Sequence, residues 1–195
     1  MIEKTGTNTC VGRLYFMSGF VRFHVRILSA AILAAVLIPT TAIAQNAQQA
    51  RCSTPEYRQF DFWAGDWVVH NAAGKLAGTN TITPMLNGCV LHEQWEGAGG
   101  SVGESFNIYD QRSGKWHQTW VDAGGLLLVL DGGMEDGSMV LRGELKGRDG
   151  VMRQQRITWT PNEDGSVRQH WENSTDGESW NTAFDGTYRP KSDSD

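Results

Sequence analysis

Gly114-Lys115-Trp116-His117-Gln118-Thr119-Trp120-Val121-Asp122-Ala123-Gly124-Gly125 reads as one extended strand between two glycine turns. Side chains alternate across a strand, so Trp116, Gln118 and Trp120 share one face and His117, Thr119 and Val121 the other. The same texture continues outward in both directions. Runs rich in β-branched and aromatic residues lie near 66–70, 76–82, 89–96, 103–109, 126–131, 138–145, 151–160, 166–173 and 180–188. With 115–122 they make about ten strands. Asn87-Gly88, Asp136-Gly137, Asp149-Gly150, Asp164-Gly165 and Asp176-Gly177 separate them, and such pairs suit tight hairpins because glycine takes positive φ without steric cost. Links this short exclude parallel crossovers. The expected fold is all-β, an antiparallel up-and-down meander whose edges are removed by closure into a barrel. A short helical turn is expected around 55–62, and no helical periodicity follows residue 84.

Alternation assigns two faces to the other runs as well. Cys89, Leu91, Glu93 and Trp95 fall together; so do Arg153, Gln155, Ile157 and Trp159, and likewise Val167, Gln169 and Trp171. Trp180, Thr182 and Phe184 are placed on one face of the last strand. The tryptophan face is taken as the inner one, since burying an indole contributes more than burying any neighbour on the opposite face. Glu93, Gln118, Arg153, Gln155 and Gln169 then point inward too. Buried amides and charges are costly unless paired or hydrated. A partly hydrated cavity with aromatic walls accommodates them, and small-ligand sites have that mixture. The competing reading is a filled core, with the polar groups near the barrel mouths.

The N-terminal stretch 22–44 has the three parts of a secretory leader: basic Arg22, His24 and Arg26, a 12-residue apolar or small-residue run over 27–38, and Ala42-Ile43-Ala44 as a small-x-small cleavage pattern. The run is shorter than the roughly 20 residues that a membrane-spanning helix needs. Residues 1–44 are therefore read as a signal peptide, with Met17 as an alternative start. They are followed by a lead-in over 45–58, a barrel domain over 59–190 and a polar tail over 191–195. Beyond residue 44 the chain has 13 Lys and Arg against 21 Asp and Glu, a net of −8. That balance argues against a nucleic-acid partner, which calls for clustered basic side chains. Cys52 and Cys89 are an even pair in an oxidising compartment, periplasmic or extracellular, and a disulfide between them is expected.

Phe62-Trp63-Ala64-Gly65-Asp66-Trp67 contains Gly-x-Trp at the entrance to the first strand and resembles the first-strand signature of the calycin superfamily, which includes lipocalins and fatty-acid-binding proteins. With Gly114-Lys115-Trp116-His117-Gln118-Thr119-Trp120 and Phe184-Asp185-Gly186, the chain is similar to bacterial secreted lipocalin-like proteins of unknown function. The resemblance implies a calycin-like barrel in which Trp67 closes the base under Arg189, a cation–π pair. Short loops and a polar inner face argue against a long-chain lipid.

His70, His92, His117 and His170 lack ligand spacing, so neither a metal nor any other cofactor is expected. Glu93, inward beside Trp95, is the one weak catalytic candidate, because a buried carboxyl can have a raised pKa. Its structural alternative is an ion pair with Arg153. No nucleophile elbow, phosphate loop or HExxH is present. Ser174-Thr175-Asp176-Gly177-Glu178-Ser179-Trp180 resembles an Asp-box but is one residue short of its spacing, and is read as a β-turn. The first functional expectation is a binder of a small, partly polar or aromatic molecule. Trp95, Trp120, Trp159 and Trp171 would wall the site, and Glu93, Gln118, Gln155 and Gln169 would orient the ligand. An isomerase or hydrolase using Glu93 as acid or base, and a structural domain with a filled core, are the alternatives.

Overall fold

A computed structural model describes residues 52–192. The strands are β1 (Gly65–Asn71), β2 (Leu76–Met85), β3 (Val90–Gly97), β4 (Val102–Asp110), β5 (Lys115–Asp122), β6 (Leu127–Glu135), β7 (Ser138–Lys146), β8 (Met152–Pro161), β9 (Val167–Ser174) and β10 (Asn181–Pro190). Each pairs antiparallel with the next, and β1 pairs with β10 to close the barrel. The ten-strand meander is thus the one the turn spacing predicts. At the β6–β7 hairpin Asp136 and Gly137 have φ of 46° and 82°, the left-handed pair that a two-residue hairpin of matching twist requires. This up-and-down barrel is compatible with a calycin-like fold. No helix among the described residues is long and apolar enough to cross a membrane. The expected leader over 1–44, residues 45–51 of the lead-in and 193–195 of the tail lie outside the described residues.

Two 3-10 turns, Pro55–Arg58 and Asp61–Trp63, precede β1. Pro55 at the first position fixes a helical φ where no N–H partner is needed. The chain then turns its aromatics into one end of the barrel. Phe60 and Trp63 are fully buried; their rings stack with centroids 4.8 Å apart, and Phe60 meets Trp159 edge-on at 5.2 Å. The Trp67 indole N–H donates to the Trp63 carbonyl at 2.9 Å, and the Trp116 indole N–H donates to Gln59 Oε1 at 3.2 Å. Burial of each ring contributes about 3 kcal/mol. Cys52 and Cys89 form the expected disulfide, with Cα atoms 5.2 Å apart, tying this segment to the residue just before β3.

Two side-chain placements differ from strict alternation. The β9–β10 register shifts between Thr182 and Phe184, so Thr182 bonds His170 on the outer face at 3.0 Å while Phe184 packs against the core. Trp180, before the strand, lies outside under the Arg156 guanidinium, 4.1 Å from its ring centroid. A bulge inserts one residue and reverses the faces beyond it. At the base, Arg189 is exposed and pairs with Val68 rather than Trp67, which turns it outward. Tyr188 instead meets the Trp67 ring, edge-on at 6.2 Å.

Candidate functional site

The eight tryptophans separate into three groups. Trp63, Trp67, Trp116 and Trp159 are at most 5% exposed and fill the base around Phe60. Trp180 is the outer one. Trp95, Trp120 and Trp171 are only partly buried and wall a cavity of about 350 Å³ at the opposite end, together with Phe184. Leu128 and Ile157 supply its apolar floor; Glu93, Gln118, Gln169 and Tyr188 line it with polar atoms. The inner face therefore holds both a packed core and a cavity, stacked along the barrel axis. The volume and the apolar walls with a few polar groups match a small-molecule site.

Glycines on neighbouring strands provide seats for two of these indoles. A Cβ at Gly103 on β4 would lie 2.3 Å from Cζ2 of Trp120, and one at Gly78 on β2 would lie 2.9 Å from Cη2 of Trp95. Any larger residue there would displace the ring. The Trp95 N–H donates to Ser101 Oγ at 3.2 Å. The Trp171 N–H donates to Gln155 Oε1 at 2.8 Å.

Below the walls runs a hydrogen-bonded belt. Glu93 accepts from Asn80 Nδ2 at 2.8 Å on one carboxylate oxygen and from Ser105 Oγ at 2.6 Å on the other. Ser105 Oγ accepts from Asn107 Nδ2 at 2.9 Å, and Asn107 Oδ1 from Gln118 Nε2 at 2.9 Å. On the other side, the Tyr188 hydroxyl donates to Gln169 Oε1 and accepts from Asn80 Nδ2 at 3.4 Å. The Asn80 side-chain oxygen is buried without a partner. Burial pushes the Glu93 carboxyl up to about 7, against the opposing pull of its Ser105 and Asn80 hydrogen bonds and the His92 charge. Burial, then the Glu93 charge, holds the Tyr188 phenol above its ordinary value, so it stays a neutral donor.

Of the residues expected at the site, Glu93, Trp95, Gln118, Trp120, Gln169 and Trp171 line the cavity. Trp159 does not: it packs at the base, 5.3 Å from Trp63 between ring centroids. Gln155 supports the Trp171 indole from behind. Glu93 is not paired with Arg153, whose guanidinium is held by Asp149 through hydrogen bonds of 2.9 and 2.5 Å. Asn80, Ser105, Asn107 and Tyr188 were not expected. Their signal lay in cross-strand register: once β3 is inward at Glu93, its partners Ile82 and Ser105 place Asn80 and Asn107 on the inner face as well. Three of the histidines are engaged on the outer surface, His92 with Glu104 at 2.7 Å, His117 with Asp131 at 2.9 Å and His170 with Thr182 at 3.0 Å, whereas His70 Nδ1 is buried without a partner. The 174–180 segment is a turn: Asp176 Oδ1 accepts from the backbone N–H of Glu178 and Ser179 at 2.9 and 2.8 Å. No protein-family model matches the sequence and no curated protein is similar to it.

Proposed function

We propose that this is an exported, periplasmic or secreted lipocalin-like protein that binds a small, partly polar or aromatic molecule in the upper half of its barrel. The observation that carries this reading is the cavity of about 350 Å³, walled by Trp95, Trp120, Trp171 and Phe184 above the Glu93 belt. A protein built only for stability gains nothing from leaving three indoles partly uncovered over buried polar groups. The leader-like N-terminus and the Cys52–Cys89 disulfide support an oxidising destination, where the chain beyond residue 44 would be the working form.

The test is titration of the purified protein with naphthalenemethanol, a neutral aromatic alcohol that fits the cavity, followed by tryptophan quenching and calorimetry. One-to-one saturable binding is expected in the wild type. Gly103→Leu drives a side chain into the position of the Trp120 ring and should abolish that binding while the β-sheet circular dichroism persists. Equal binding to the variant refutes the reading, as does absence of saturable binding by the wild type to this alcohol and to its charged analogues of the same shape.

A further inference from the structure

Among the described residues that line the cavity none is Lys, Arg or His, and Glu93 is the one carboxylate. Arg153 of β8 does not line the cavity, and its guanidinium is held by two hydrogen bonds to Asp149. Trp95, Trp120, Trp171 and Phe184 surround the cavity, and the face of an aromatic ring attracts cations. In the belt beneath, the buried Asn80 oxygen is left without a donor, and both Glu93 oxygens accept from neutral groups. Glu93 is thus the one formal charge in a lining otherwise made of neutral polar and aromatic groups.

We infer that the cavity selects a small organic ammonium ion, an arylalkyl or alkyl amine in its protonated form, with the indoles around its carbon frame and the charge directed at Glu93. This rests on the proposed binding role and adds the chemical class of the ligand. A fatty acid or other carboxylate is excluded by the same geometry, because its charge would meet Glu93 with no basic side chain to receive it. The groups facing Glu93 do not change this. Asn80 from β2 and Ser105 from β4 carry no charge, Tyr188 from β10 stays protonated, and His92 is engaged with Glu104 on the outer face.

Three probes of one shape separate the possibilities: naphthylmethylammonium, naphthalenemethanol and naphthoate, titrated at about pH 8, where the amine is charged and Glu93 is ionised. The ammonium should bind roughly tenfold or more tighter than the alcohol, and naphthoate should not bind measurably. Glu93→Gln should bring ammonium and alcohol to near parity by weakening the ammonium. Binding of the alcohol as tight as the ammonium, comparable binding of naphthoate, or an ammonium preference that survives Glu93→Gln each overturns the inference and leaves the binding role standing. Failure of all three probes overturns both. Should Glu93→Gln not fold, the wild-type ranking alone decides the class.

Discussion

Replacing Glu93 by Gln should change how stability depends on pH. The carboxyl is 4% exposed, and burial raises its pKa from the ordinary 4.5 to about 7. Between those values the folded protein holds a proton that the unfolded chain has released, so stability falls as pH rises. The loss begins near the unfolded value and is complete above about 7. A shift of this size corresponds to about 3 kcal/mol. Glutamine keeps the shape and an acceptor for Asn80 but carries no titrating proton. Urea unfolding of both proteins from about pH 5 to about pH 8.5 gives the difference directly. Wild type and variant should be within about 1 kcal/mol at the acid end, with the variant gaining up to about 3 kcal/mol on the wild type by the alkaline end. Parallel stability curves over the whole range would show that Glu93 is ionised without penalty in the fold, and the account of its burial would be wrong.

Two further outcomes test the frame around the site. Trp63→Ala removes a fully buried indole that stacks on Phe60 and should cost about 3–5 kcal/mol; a loss below about 1 kcal/mol in urea unfolding would mean that the plug does not hold the base. Reducing the Cys52–Cys89 bond, with its sequence separation of 37, should lower stability by about 3–4 kcal/mol by loop-closure entropy, measured as the shift in urea midpoint with and without a thiol reductant. An unchanged midpoint would show that the lead-in stays docked without the bond.

The strands and their hairpins are legible along the chain, because turn residues and alternation act over a few neighbouring positions. So are the side chains that face inward. Period-two counting alone puts Glu93, Gln118 and Gln169 inside, and all three are buried. The local rule failed where the chain departs from period two, at the bulge between Thr182 and Phe184.

Height along the barrel axis was decided only by the tertiary structure. Alternation gives Trp159 and Trp171 the same inward face, yet one is packed against Trp63 at the base and the other walls the cavity. Their levels follow from stagger and pairing between strands far apart in sequence. The filling of the base depends on Phe60 and Trp63, which a short turn segment inserts from outside the sheet. The Glu93 belt likewise joins residues from β2, β3, β4, β5, β9 and β10. Hydrogen bonds between side chains so separated exist only once the barrel has closed, so the packed base and the open aromatic cavity could not be told apart by counting along the chain.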